Sequence, residues 1–178
     1  MKLGEIIQPL QKLLEDAHAA ELYLEENDTQ FARRAYVRSV FANVEGSIWL
    51  LKQTCLKIVK EKKLNLLTLA EWSLLSDKTF DLTDKGEPRE QQKFLKLPDN
   101  IRFTFHIFNR LFKSSFSLGV DGKSWAAFRT ALELRNRLAH PKEAKDIDVS
   151  DEEIKAAKDA CGWFNGLMAD CIQVMSPK

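Results

Sequence analysis

The sequence predicts an all-α protein, an up-and-down bundle of five or six helices, and two observations carry that prediction. Long segments place apolar residues at alternating spacings of three and four, which puts them on one face of a helix. No stretch alternates apolar and polar residues between hairpin turns, as half-buried strands do. Stripes with this heptad-like spacing are typical of helices that pack nearly parallel or antiparallel.

The predicted elements form a single domain over residues 1–178. The predicted helices span, in chain order, 5–25, 30–63, 66–76, 99–116, 125–140 and 150–175. The second helix is the longest, roughly 50 Å at a rise of ~1.5 Å per residue. Asn27-Asp28-Thr29 predicts a turn and the N-cap of that helix. Ser150 and Glu153 predict a capping box at the start of the last helix.

Residues 77–98 lack helical periodicity and contain Gly86 and Pro88. A connection of this length is uncommon inside a compact domain, and it is usually a functional loop or a mobile segment. We therefore expect a long loop here, either a flexible connection or a lid that contacts substrate.

Composition sets a broad class for the chain. With 44% hydrophobic and 30% charged residues it is ordinary for a protein with a packed core, and its net charge of +1 gives no overall sign of a nucleic-acid or membrane partner. The opening residues lead into an amphipathic helix and not a secretory signal, and no apolar run is long enough to span a bilayer. Cys55, Cys161 and Cys171 lack C-x-x-C spacing, which favours reduced, buried side chains. We expect a cytoplasmic protein without a membrane partner.

The usual catalytic and metal-binding motifs are missing from the sequence. It contains no phosphate-binding G-x-x-x-x-G-K-S/T loop, no G-x-S-x-G elbow and no H-E-x-x-H zinc motif. Its three histidines are widely spaced, which argues against a histidine-rich metal site. We therefore expect neither a metal nor a cofactor.

An arginine and a histidine near the end of one predicted helix are the leading candidates for chemistry. One stripe of that helix consists of Trp125, Phe128, Leu132, Arg135 and Ala139. A guanidinium on a core-facing stripe is costly unless it is paired, so Arg135 is predicted to be buried with a partner. His140 precedes Pro141, and the residue before a proline leaves the α region. The helix is therefore predicted to end at His140, which frees the imidazole to turn towards Arg135 or towards a neighbouring subunit.

Glu45 in the long second helix is the first candidate partner for Arg135. It lies between the apolar positions Phe41 and Ile48 on adjacent turns, which places it close to the interior. One interpretation is a boundary carboxylate without a special role. The other is a carboxylate that pairs with Arg135 or orients His140.

A family resemblance lies at the end of the motif helix. The residues resemble the R-x-x-x-x-H motif of HEPN domains (higher eukaryotes and prokaryotes nucleotide-binding), and they read Arg135-Asn136-Arg137-Leu138-Ala139-His140-Pro141. The polar Asn136 after the arginine also matches the family pattern. The segment from Arg33 to Gly46 resembles the long early helix of bacterial HEPN proteins, and residues 146–153 resemble the loop and helix start that come after the motif in those proteins. The likeness covers residues 30–60 and 120–170.

The resemblance implies a metal-independent endoribonuclease that cleaves single-stranded RNA and typically leaves a 2′,3′-cyclic phosphate. It also implies a homodimer in which the Arg135 and His140 pairs of both subunits face one shared cleft. Many bacterial relatives act in toxin–antitoxin or antiphage systems, so an antitoxin or a nucleotidyltransferase is a candidate partner.

The residue types fit that chemistry. Arginine is permanently charged and binds phosphate oxygens with a fork of N–H groups, and histidine exchanges a proton near neutral pH. Together they suit cleavage of RNA by its own 2′-hydroxyl, a group that DNA lacks. Arg137, Lys142 and Arg129 are candidate phosphate contacts around the pair, and each by itself also fits a solvated surface charge.

Two other classes of protein stay open. A non-catalytic HEPN-like module would serve dimerisation, nucleotide binding or protein interaction, and Arg135 and His140 would then tie helix ends together. A helical adaptor unrelated to the family is the third class. The intact motif with its polar Asn136 favours the enzyme.

Overall fold

The computed structural model describes residues 4–61 and 66–176, and these residues form six α-helices and one small sheet. In chain order the elements are α1 (Gly4–Glu26), α2 (Gln30–Glu61), α3 (Leu69–Leu75), β1 (Lys78–Leu82), β2 (Pro88–Gln92), α4 (Leu97–Phe112), α5 (Lys123–Ala139) and α6 (Asp151–Met175). The predicted all-α class is confirmed. Residues 62–63, the predicted end of the long helix, lie outside the described residues. No described helix combines the length and the apolar character needed to cross a bilayer.

Several specific predictions from the sequence are confirmed. The Thr29 hydroxyl accepts a hydrogen bond from the Ala32 N–H at 3.2 Å and so caps α2. Ser150 and Glu153 form the predicted capping box at the start of α6. The motif helix α5 ends directly before His140, which is its C-cap residue. The three cysteines are buried, as predicted.

Close contacts divide the chain into two units. One comprises Met1–Ile6 and Ile48–Phe116, and the other comprises Ile7–Ser47 and Ser117–Lys178. We call the first the hairpin unit, because it contains β1 and β2, and the second the motif unit, because it contains Arg135. The boundary falls inside α2, so this helix contributes residues to both units. The single domain predicted over residues 1–178 stays a prediction.

Aromatic rings join α2, α5 and α6 in the core of the motif unit. The Phe128 ring of α5 lies 6.1 Å from Phe41 of α2 and 5.5 Å from Trp163 of α6, measured between ring centroids. Trp125 meets Trp163 edge to face at 5.6 Å. Such ring pairs add to the stabilisation that burial of apolar area provides. The cluster therefore fixes α5 against its neighbours two turns before Arg135.

A buried ion pair lies in the hairpin unit. The Lys52 side chain on α2 has no exposed surface, and its ammonium donates to Oδ1 of Asp77, directly before β1. Asp77 has a positive φ of 53°, a conformation that aspartate adopts more readily than most residues. The apolar core of the same unit includes the fully buried side chains of Leu75, Ile101 and Phe108. Because a buried ammonium needs a partner, the pair ties the start of the hairpin to α2.

The prediction of a long loop over 77–98 is wrong, because this segment contains the β1–β2 hairpin. The strands pair antiparallel, with Lys78 opposite Gln92 and Leu82 opposite Pro88. In the connecting turn Gly86 takes a positive φ of 76°, which glycine adopts without strain. The strands are largely exposed, so no alternation between core and solvent marks them in the sequence. The overlooked signal is the turn glycine between two short segments.

Lys52→Met should destabilise the protein by about 3 to 5 kcal/mol, because it leaves the Asp77 carboxylate without its ammonium in a buried site. The double variant Lys52→Met with Asp77→Asn should recover much of that loss, since asparagine also adopts a positive φ and carries no charge. Urea denaturation measures both free energies of unfolding. A single variant as stable as the wild type would mean that water solvates the Asp77 carboxylate.

Candidate functional site

Arg135 lies at the centre of a small polar cluster in the motif unit. Its Nη2 donates to Oε1 of Glu45 on α2, and its Nη1 donates to Oδ1 of Asn136 at 3.2 Å. The structure thus brings together the arginine and the carboxylate that the sequence suggested as partners. Glu45 links α2 to α5 through the guanidinium, and Asn136 holds the same group from within α5.

The predicted burial of Arg135 is wrong. The apolar members of its stripe are buried, namely Trp125, Phe128 and Leu132. The Arg135 side chain, by contrast, is 34% exposed, and Ala139 is exposed as well. The stripe reaches the surface as α5 approaches its end, and a long side chain extends its charged head into water from such a position. A guanidinium has five N–H donors, so the bonds to Glu45 and Asn136 leave others for a ligand.

His140 occupies the end of the motif helix. Its backbone N–H donates to the Asn136 carbonyl at 3.1 Å, and its φ of −135° with a ψ of 60° takes the chain out of the helix. The imidazole is exposed, so it is accessible for proton exchange with a bound molecule. The predicted helix end is confirmed. An orientation of the imidazole towards Arg135 stays a prediction.

Arg137, two positions after Arg135, holds the segment that comes after the motif. Its Nη1 donates to the carbonyl oxygens of Asp146 at 2.7 Å and Asp148 at 3.0 Å. Its Nη2 pairs with Oε1 of Glu153 at 2.6 Å. These contacts give Arg137 a structural role in holding this segment. The phosphate contact that the sequence suggests for Arg137 stays a prediction.

Residues at the start of α2 hold the same segment. Arg33 pairs with Asp28 and with Asp151, both at 2.6 Å, and donates to the Val149 carbonyl at 2.8 Å. The Gln30 amide donates to that carbonyl and accepts from the Val149 N–H. The hydrogen bonds to the two carboxylates, that to Asp28 first, raise the pKa of Arg33 above its usual value. The segment after the motif is thus fixed by arginine and glutamine side chains.

Three exposed cations of the motif unit are candidates for contacts with phosphate. Arg129 on α5 and Lys142 after it are predicted from the sequence, and both are exposed. The Lys142 backbone N–H donates to Asp146 at 2.8 Å, which lowers the pKa of that carboxyl and fixes the lysine's position. Arg38 on α2 is a further exposed cation that sequence reasoning overlooks. Its spacing of seven positions before Glu45 is the signal, because two helical turns return to the same face.

The candidate site is defined by the geometry of the motif unit, without support from a metal cluster or from a similar known protein. Among the described residues, no cluster of three or more His, Cys, Asp or Glu side chains could hold a metal ion. No protein-family model, no curated protein and no solved structure matches the chain. The site therefore consists of a partly exposed Arg135, held by Glu45 and Asn136, and an exposed His140 at the end of the same helix.

Arg135→Ala and Arg137→Ala form a matched pair on one helix, and we expect unequal losses of stability. Arg135→Ala should cost only about 1 kcal/mol, because its ion pair is partly exposed to solvent. Arg137→Ala should cost about 2 to 3 kcal/mol, because it leaves several backbone carbonyls and the Glu153 carboxylate without their donor. Urea denaturation measures both. A loss for Arg135→Ala as large as that for Arg137→Ala would contradict the partial exposure of Arg135.

Proposed function

We propose that this protein is a metal-independent endoribonuclease of the HEPN type that cleaves single-stranded RNA, with Arg135 and His140 as its catalytic residues. The observation that supports this function is the arrangement at the end of α5. A partly exposed guanidinium is held by Glu45 and Asn136, and an exposed imidazole lies at the helix end. One helix thus carries a phosphate-binding cation and a proton acceptor.

The proposed reaction uses the nucleophile of the substrate itself. The His140 imidazole removes the proton from a ribose 2′-hydroxyl, and that oxygen attacks the adjacent phosphorus. The bond from phosphorus to the 5′-oxygen of the next nucleotide breaks, and the departing oxygen takes a proton from a second His140 or from water. The products are a 2′,3′-cyclic phosphate and a 5′-hydroxyl. The Arg135 guanidinium stabilises the negative charge that develops on the phosphoryl oxygens.

Glu45 and Asn136 act as positioning residues in this proposal. The arginine side chain donates from a planar fork, so a carboxylate and an amide oxygen on two of its nitrogens fix the plane of the guanidinium. The remaining donors then point in defined directions. The exposed cations Arg129, Lys142 and Arg38 add positive charge for neighbouring phosphates.

The proposal includes a homodimer, which the resemblance to HEPN domains supports, and a cytoplasmic location. In a homodimer the Arg135 and His140 pairs of two copies face one cleft, so one His140 acts as base while the other acts as acid. Toxin–antitoxin or antiphage defence is the proposed setting. An antitoxin or a nucleotidyltransferase is the proposed protein partner.

A non-catalytic interaction module is the second candidate, and one observation favours it. The charge of Arg135 is already balanced by Glu45, as expected for a cation whose purpose is to tie α5 to α2. In that case His140 has no chemical role. Cleavage of RNA separates the two candidates.

His140→Ala should lower the rate of RNA cleavage by about 10²- to 10⁴-fold in the presence of a chelator, because the proton acceptor is gone. Arg135→Lys should also lose most activity, since lysine keeps the charge and not the fork. His106→Ala on α4 is the matched control, because His106 is likewise an exposed histidine, and its rate should equal that of the wild type. Single-turnover cleavage of a labelled single-stranded RNA gives the four rates.

Two outcomes of this experiment would contradict the assignment of nuclease activity. Equal activity in the wild type and in His140→Ala would point to a contaminating nuclease, and inactivity of both would favour the non-catalytic module. Sedimentation of the same samples should show a homodimer. A monomer at micromolar concentration would remove the shared cleft from the proposal.

A further inference from the structure

The two faces of the β1–β2 hairpin differ, and one of them exposes two large apolar side chains. On one face Asp81 accepts hydrogen bonds from Arg89 and Gln91, so these polar groups satisfy one another. The alternation of side chains along a strand places Phe80 and Leu82 on the opposite face. There they are 59% and 67% exposed. Large apolar side chains in solvent on an ordered element indicate a contact surface.

A second exposed ring lies just beyond the end of β2. Phe94 comes two residues after Gln92 and is 70% exposed. In the register of the hairpin Phe80 lies opposite Glu90. Phe94 comes four positions after Glu90, roughly 13 Å of extended chain. The two exposed rings thus lie at different points along the chain, Phe80 within β1 and Phe94 beyond the end of β2.

The charges near the rings favour an anionic partner. The Glu90 carboxylate is paired with the Lys78 ammonium at 2.8 Å and so is neutralised. Lys93 and Lys96 flank Phe94 in the sequence, and both are exposed. Neither forms an ion pair with a carboxylate in the described ranges. The segment after β2 thus combines an exposed ring with two unbalanced positive charges.

We propose that Phe80, Phe94, Lys93 and Lys96 form a binding surface for single-stranded RNA. Bases stack on the two phenyl rings, and the two ammonium groups bind neighbouring phosphates. The inference rests on the proposed function for the choice of RNA as the nucleic acid, and it adds a substrate-binding surface outside the Arg135 motif. Because a phenyl ring stacks on any base, the surface accepts many sequences but requires unpaired bases.

A protein is the main competing occupant, because Leu82 and Pro88 extend the apolar surface towards the turn. Replacing a phenyl ring by an aliphatic side chain distinguishes RNA from a protein as the occupant of this surface. Leucine can replace phenylalanine in an apolar protein contact, but it offers no aromatic face to a base. The turn also carries the carboxylates Asp84 and Glu87, which repel phosphate. The RNA path therefore runs over the end of the hairpin remote from the turn.

Binding to an RNA that cannot be cleaved tests the proposal. The probe is a fluorescein-labelled oligouridine of about 12 nucleotides with methylated 2′-hydroxyls, and fluorescence anisotropy gives its Kd. Phe80→Leu and Phe94→Leu should each weaken binding roughly tenfold, whereas Phe80→Tyr should keep the affinity of the wild type. Leu69→Ala on α3 is the matched control. Leu69 is 90% exposed, and its loss should leave the Kd unchanged.

Salt dependence tests the lysines. Replacing Lys93 and Lys96 together by glutamine should reduce the slope of log Kd against log salt by about 1.4, since each phosphate contact with a single strand contributes ~0.7. An unchanged slope would overturn the assignment of the lysines. Unchanged affinity in both leucine variants would overturn the stacking surface and assign this face to a protein. Absence of wild-type binding at low salt would overturn the whole proposal.

Different results would contradict the proposed nuclease activity and the proposed hairpin surface. Probe binding that depends on the two rings, without cleavage of ordinary RNA, would remove the nuclease and leave the RNA-binding surface. Cleavage with the same KM in the wild type and in both leucine variants would remove the surface and leave the nuclease.

Discussion

One partly exposed ion pair, between Arg135 and Glu45, orients the guanidinium of the candidate site. The stripe of α5 reaches the surface at Arg135, where Glu45 on α2 supplies a carboxylate partner. The pair holds the end of the motif helix to α2. Because Arg135 remains partly exposed, the same contact leaves donors for a phosphate. The orientation of the guanidinium, and with it the proposed chemistry, therefore depends on this ion pair.

The two arginines of the motif helix α5, Arg135 and Arg137, make contacts of different kinds. Residues two apart on a helix diverge by roughly 200°, so Arg135 and Arg137 serve different surroundings. Arg135 meets a single carboxylate and stays partly in solvent, whereas Arg137 binds carbonyl oxygens of the next segment together with Glu153. The exposed His140 thus lies between a packed helix and a fixed segment. The helix and the segment together support the backbone of His140, the proposed base.

The sequence predicts direction around a helix better than depth below the surface. Periodicity locates the helices, and the need of Arg135 for a partner leads to Glu45, because both depend on direction. Periodicity fails for the burial of Arg135, since it does not tell how close the helix end lies to solvent. The role of Arg137 escapes sequence reasoning because its partners are mostly backbone carbonyls in and just after the short 3₁₀-helix Ala144–Ile147. The hairpin escapes it because neither strand has a buried face.

The central claim is that the RNA supplies its own nucleophile, which His140 activates beside Arg135. The direct test replaces the ribose at the cleavage site by deoxyribose and compares both substrates with the wild-type protein in EDTA. We expect the all-ribose substrate to give a product with a 2′,3′-cyclic phosphate, and the substituted substrate to remain intact at that position, because the attacking hydroxyl is absent. Equal cleavage of both substrates at that position would contradict the claim.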